Sequence, residues 1–125
     1  MTLNILIIED NDINRRFMYD LVRAAHHHAF IAEKFDHAKE ILATEKIDLV
    51  LCDHMLDDVQ GFQIVDYIRA QFPTMVIWII SGIESEFVEK KYHKMGIPII
   101  RKPFDISEFF VLLAGVDQAC QHASS

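Results

Sequence analysis

The sequence predicts an α/β fold, a doubly wound five-stranded parallel sheet in one domain. Three observations predict it. Five short apolar runs alternate with helix-like segments. The runs are continuously rather than alternately apolar, as strands buried on both faces are. Right-handed crossovers between such units then cover both faces of the sheet with helices. A chain of 125 residues suits a single core, which at this size removes roughly two thirds of the unfolded surface from water.

The first run, Asn4-Ile5-Leu6-Ile7-Ile8, ends at Glu9-Asp10. Asn11 and Asp12 can cap a helix in which Ile13, Phe17, Leu21 and Ala24 or Ala25 recur at helical spacing, with Arg15, Arg16, Asp20 and Arg23 on wetter faces. His26-His27-His28 closes that helix; adjacent helical residues do not share a face, so the triplet is a poor transition-metal site. Ala29 to Ala32 is a weaker second strand, and Asp36 can cap a second helix with Ala38, Ile41 and Leu42 facing in. Ile47 to Cys52 is the third strand and runs into Asp53. Gly61 to Phe72 is a third helix, stopped by Pro73. Met75 to Ile80 is a fourth strand ending at Ser81-Gly82, and Ser85 to Met95 is a charged helix ended by Gly96. Ile97 to Ile100 is the fifth strand, ending at Arg101-Lys102-Pro103. Asp105 or Ser107 caps a last helix that carries Phe109, Phe110, Leu112 and Leu113. The small, polar end from Asp117 reads as frayed, so the domain is expected over 1–117 with a tail at 118–125.

The formal net charge is −7. Binding to nucleic acid rests on neutralising phosphates with Lys and Arg, so this balance argues against a DNA or RNA module and suits a protein that holds a cation. Cys52 falls in a core strand and Cys120 in the tail, a pattern of free thiols rather than a disulfide framework. MTLNILIIED has no basic leader before its apolar run, and Met75 to Ile80 is too short to span a bilayer, so no membrane association and a cytoplasmic location are expected.

Every strand but the second ends in a polar group: Glu9-Asp10, Asp53, Ser81 and Lys102. In a parallel sheet these carboxyl ends share one edge, where open α/β sheets bind ligands. Asp53 taken alone reads first as a helix cap or the start of a turn. Three carboxylates meeting at that edge repel one another unless a cation joins them, and oxygen-only ligands suit Mg²⁺. Lys102 and Ser81 add a positive charge and a hydroxyl donor, which fit a phosphoryl group better than a carbonyl substrate. The combination predicts phosphoryl transfer to an aspartate.

Ile5 to Asn11, Asp48 to Asp53 with Gly61-Phe62, Ile80-Ser81-Gly82, and Lys102-Pro103-Phe104 occur in this order. Together they resemble a response-regulator receiver domain over nearly the whole chain. The resemblance implies a flavodoxin-like (βα)5 fold with strand order 2-1-3-4-5. It implies that Asp53 accepts a phosphoryl group from a sensor histidine kinase or a histidine phosphotransfer domain. Glu9, Asp10, Asp53 and the backbone carbonyl of Met55 would hold Mg²⁺; Lys102 would pair with the phosphoryl oxygen, and Ser81 would move to hydrogen-bond it. A cis Lys102–Pro103 bond is expected. The first helix would face the kinase. The face made by the fourth helix, fifth strand and fifth helix, with Glu84, Glu86, Glu89, Lys90 and Lys91 exposed, would meet a downstream protein target or a second copy in a homodimer. Asn14-Arg15 is similar to receivers of hybrid kinases and phosphorelays.

Three positions depart from the family pattern. Asp57 and Asp58 stand where Pro-Gly is common, which frees the loop and makes the cleft more acidic, either strengthening cation binding or repelling a phosphoryl donor. Ile99 stands where a mobile Tyr or Phe is usual. Met55 and Ile83 flank the path of the attacking water and are apolar, so slow hydrolysis of the phosphorylated form is expected. Two alternatives remain: a pseudo-receiver not controlled by phosphorylation, and a Mg²⁺-dependent aspartyl phosphohydrolase. Retention of Glu9, Asp10, Asp53, Ser81 and Lys102 opposes the first. Met55, where such hydrolases carry a second carboxylate, opposes the second, so no enzyme beyond self-phosphorylation and slow dephosphorylation is expected. A flavin carrier is opposed by the lack of a Ser/Thr/Gly-rich loop after the first strand.

Overall fold

Each apolar run becomes a strand and each intervening segment a helix. The structure is a computed structural model that describes residues 2–56, 59–82, 85–103 and 105–124, with side chains as far as Val116. In chain order, β1 (Asn4–Ile8) leads to α1 (Asp12–Ala24), and β2 (His28–Ala32) to α2 (Phe35–Thr44). β3 (Leu49–Asp53) leads to α3 (Gly61–Gln71), β4 (Val76–Ser81) to α4 (Glu86–Lys94), and β5 (Ile99–Arg101) to α5 (Ile106–Ser124). All pairings are parallel, and the strand order is β2-β1-β3-β4-β5. The order reverses between β1 and β3, which opens a crevice at their carboxyl ends.

Strand alternation divides the core into two layers. Leu6, Ile8, Val50, Cys52, Ile77 and Ile79 pack with Ala38 and Leu42 of α2, Phe62, Ile64, Val65 and Ile68 of α3, and Tyr92 of α4. Their neighbours Ile5, Ile7, Leu49, Leu51, Trp78 and Ile80 pack with Met18, Leu21 and Val22 of α1 and Phe109, Leu113 and Val116 of α5. Consecutive strand residues point to opposite faces. Residues 53 and 54 therefore leave the end of β3 toward opposite sides.

Several local expectations are corrected. The buried face of α1 is Met18, Leu21 and Val22, while Ile13 is 80% exposed and Phe17 is exposed. Met18, Leu21, Val22 and Ala25 form their own i, i+3, i+4, i+7 arc, and it is the arc that meets the sheet. Arg15 lies three residues before Met18, beside this arc rather than on a wet face, and its side chain is only 15% exposed. In α2, Lys34 holds the N-cap position without a side-chain hydrogen bond, and Asp36 sits in the first turn, where a carboxylate still favours the helix dipole. Asp105 rather than Ser107 caps α5: its Oδ1 accepts from the backbone N–H of Ser107 (2.7 Å) and of Glu108 (3.4 Å). The end expected to fray is helical through Ser124. No Gly or Pro follows Gly115, and Gln118, Ala119 and Gln121 are good helix formers.

The α4 boundaries follow their signals closely. Ser85 caps the helix by accepting from the Val88 N–H at 3.3 Å, and Gly96 beyond its end takes φ +73°, a left-handed conformation that costs glycine little. The Lys102–Pro103 bond is cis.

Candidate metal and phosphoryl site

The carboxyl ends of β1, β3, β4 and β5 bring Glu9, Asp10, Asp53, Ser81 and Lys102 to the crevice side of the sheet. Ligand oxygens of Glu9, Asp10 and Asp53 all lie within 4.8 Å of one another. The Lys102 Nζ sits between two of these groups, 3.4 Å from Glu9 Oε2 and 3.3 Å from Asp53 Oδ2. Its backbone N–H donates to the Ser81 carbonyl at 2.9 Å, which fixes the start of this arm against β4. Ser81 itself is buried.

Burial separates the carboxylates. Glu9 is 1% exposed, whereas the Asp53 side chain is 15% exposed and open to the crevice. The Glu9 carboxyl is pushed up to about 7, first by burial and then by the neighbouring Asp53, with Lys102 opposing. A buried acid beside a second carboxylate resists ionisation until a cation compensates it. All three cluster donors are oxygens, a set that fits a hard divalent cation such as Mg²⁺ and not a thiolate- or imidazole-seeking metal.

Two residues of α1 support the acidic loop. Arg15 Nη1 donates to the Glu9 carbonyl at 3.0 Å and to the Asp10 carbonyl at 3.5 Å. Its Nη2 pairs with Asp12 Oδ1 at 2.5 Å and with Glu33 Oε1 at 3.5 Å. Asn14 Nδ2 donates to Glu9 Oε1 at 3.4 Å, and the Asn14 N–H is capped by Asn11 Oδ1 at 2.9 Å. Sequence reasoning marked Asn14-Arg15 only as a pattern and missed this scaffold. The signal was present, because Arg15 is four residues past the cap and a long side chain there reaches back over the first turn.

On the far side of β3, His54 is buried, and its Nδ1 lies 2.5 Å from the Tyr92 hydroxyl. Burial keeps the imidazole below the ordinary histidine range, although the charge of Asp53 opposes the shift. Burial likewise drives the Tyr92 phenol up and the Cys52 thiol up, so both stay protonated. Sequence reasoning missed His54 and Tyr92 altogether. Met55 is exposed, and its backbone N–H donates to Asp53 Oδ1 at 3.2 Å. Asp57, Asp58, Ile83, Glu84 and Phe104, which carried several expectations, lie outside the described residues.

Ile99 is half-buried and packs against the α2–α4 layer. Glu86, Lys90 and Lys91 are exposed on α4, whereas Glu89 is half-buried and ion-paired with Arg101 of β5. No helix among the described residues is long and apolar enough to cross a membrane.

The family model described as "Response regulator receiver domain" matches residues 5–114. Among curated relatives, a cyclic di-GMP phosphodiesterase of Thermotoga maritima is 29% identical over 83% of this chain and 28% of its own length. The transcriptional regulatory protein MalR of Bacillus subtilis is 28% identical over 90% of this chain and 49% of its own. The chain thus spans between about a quarter and a half of the length of such relatives. Of solved structures, the receiver domain of a putative Luxo repressor protein from Vibrio parahaemolyticus superposes with a TM-score of 0.88 at 17% identity, covering 99% of this chain and 96% of that one. The Francisella response regulator 1452 receiver domain gives 0.85 at 18% identity, covering 95% and 99%. At these identities the superpositions speak for the fold, and the family follows from the sequence match: the chain belongs to the response-regulator receiver domains, the phosphorylation-based signalling modules of two-component systems.

Proposed function

We propose that Asp53 is the phosphoacceptor of this receiver, and that its phosphorylation by a sensor histidine kinase or a histidine phosphotransfer domain switches a protein-interaction surface. The observation that carries this reading is the Lys102 ammonium held between the buried Glu9 and the crevice-facing Asp53. In the transfer, an Asp53 oxygen attacks phosphorus as the bond to the donor imidazole nitrogen breaks, and the imidazole leaves neutral. Lys102 faces the negative charge that builds on the phosphoryl oxygens, and such preorganised charge is a large share of catalysis in phosphoryl transfer. Ser81 at the end of β4 would hydrogen-bond the transferred group.

Glu9, Asp10 and Asp53, with the Met55 backbone carbonyl, would hold Mg²⁺, which supplies further charge neutralisation when bound. The oxygen-only donor set supports that choice. Lone Met55, in place of a second carboxylate, supports a switch that turns over only its own phosphoryl group. The family match over residues 5–114 supports a single receiver domain that includes α5, and the family supports a cytoplasmic location. The α4–β5–α5 face is the surface we assign to a downstream target or a homodimer.

Incubation with Mg²⁺ and acetyl phosphate, read by intact mass, tests this. One phosphate adduct that disappears in Asp53→Asn is the expected result. Absence of an adduct favours the pseudo-receiver, and multiple turnover of a phosphomonoester favours the hydrolase.

A further inference from the structure

We propose that His54 and Tyr92 are positioning residues that pass the state of Asp53 to α4, the role left vacant by Ile99. The inference rests on Asp53 being the phosphoacceptor. α4 has a single buried residue, Tyr92, and it is fully buried. Tyr92 is therefore the deepest anchor of this helix, with the half-buried Val88 packed on the same layer. The polar end of the Tyr92 side chain is bonded to the residue that immediately follows Asp53.

The contact is built tightly. His54 meets Tyr92 edge-on, with ring centroids 5.3 Å apart, and meets Phe62 of α3 edge-on at 4.9 Å. Phe62 in turn lies 4.4 Å from the Tyr92 ring. Gly61 leaves the room that the hydroxyl occupies: a Cβ there would overlap Tyr92 Oη. The Gly61 N–H also donates to the His54 carbonyl at 2.6 Å. Breaking the bond between His54 Nδ1 and the Tyr92 hydroxyl inside this apolar layer would penalise both polar atoms, so the pair moves as a unit.

The path from Asp53 is short. Asp53 Oδ1 accepts from the Met55 N–H at 3.2 Å, so the carboxylate holds the backbone that flanks His54. A phosphoryl group on this carboxylate changes the charge and position of that acceptor. The backbone at 54–55 adjusts, the imidazole moves with it, and Tyr92 transmits the displacement to α4. An aliphatic Ile99 cannot swing a polar ring into the crevice, whereas the His54–Tyr92 pair already joins the end of β3 to α4.

Amide NMR spectra of α4, recorded with Mg²⁺ and beryllofluoride as a phosphoryl mimic, test the proposal; fluorine NMR reports occupation of the Asp53 site separately. In the unaltered chain, bound beryllofluoride should shift the α4 amides. Tyr92→Phe should keep the bound fluorine signal and lose the α4 shifts. His54→Leu should lose them too, and His54→Asn, whose amide keeps a polar atom near the Nδ1 position, should restore part of them. Occupied Tyr92→Phe with α4 shifts of unaltered size overturns the proposal, as does His54→Leu behaving like His54→Asn. Absence of a bound fluorine signal in the unaltered chain, together with absence of a phosphate adduct, instead overturns the assignment of Asp53 and the proposal with it.

Discussion

Gly61→Ala is the substitution that most directly probes the seat of α4. Gly61 opens α3 in an ordinary helical conformation, so on backbone grounds alanine would stabilise the chain by about 0.4–1 kcal/mol. The added Cβ, however, would overlap Tyr92 Oη and come within 3.1 Å of the His54 Cα. Tyr92 is fully buried and flanked by His54 and Phe62, so it cannot swing aside within the layer. Either the core overpacks, at about 1–3 kcal/mol, or the hydroxyl leaves His54 and two buried polar atoms lose their bond, at about 1–3 kcal/mol. The expected net effect is a destabilisation of about 1–2 kcal/mol, read by urea unfolding with an unchanged m-value. In a Tyr92→Phe background the overlapping oxygen is gone, and the penalty for Gly61→Ala should shrink by about 1 kcal/mol or more. A Gly61→Ala chain as stable as the parent, or strictly additive effects in the double variant, would refute the packing argument.

Three further outcomes follow from the crevice. Because burial raises the Glu9 pKa to about 7, protons and Mg²⁺ compete for it; Mg²⁺ affinity by calorimetry should rise with pH through that value. The sign for stability is the reverse without metal. The raised acid contributes stability below its ordinary range and loses it as pH climbs through about 7, so added Mg²⁺ should raise the melting temperature more at pH above that value than below it. Arg15→Met removes the donors to the Glu9 and Asp10 carbonyls and should weaken Mg²⁺ binding by about 10-fold, as loss of outer-sphere support does; equal affinity would show that the loop holds its shape without the guanidinium. Met55→Asn combined with Ile83→Glu should shorten the lifetime of the phosphate adduct followed by intact mass, since polar side chains at these positions can orient water. An unchanged or longer lifetime contradicts the slow-hydrolysis expectation.

The sheet was legible in the sequence because its signals are local. Runs such as Ile5 to Ile8 and Leu49 to Cys52 are apolar at every position, Gly96 and Pro73 punctuate the helices by their backbone chemistry, and Ser85 does so by its side-chain cap. The crevice was legible for the same reason, since each of its residues stands at the end of an apolar run. The inward face of α1 was not, because two apolar arcs, one through Ile13 and Phe17 and one through Met18 and Val22, both satisfy a helical period. Only the position of the sheet decides between them. Arg15 was assigned to water by its charge, although its long stem lies along the buried arc and its guanidinium finds backbone carbonyls.

His54 and Tyr92 were invisible for a deeper reason, and it bears on how this receiver works. Their contact joins residues 38 positions apart, and neither residue carries a local signal. His54 looks like one of several histidines, and Tyr92 like an apolar stripe residue on a charged helix. What makes them a pair is strand parity: Asp53 leaves β3 toward the crevice, so His54 must leave it toward α4. The same parity means that chemistry at Asp53 is never more than one residue from the helix on the other side of the sheet. In a chain with Ile99 at the usual aromatic position, this buried hydrogen bond ties the residue after Asp53 directly to α4. Its polar atoms would be costly to bury singly, so separating the pair inside this layer carries a penalty that the Tyr92→Phe and His54→Leu spectra would expose.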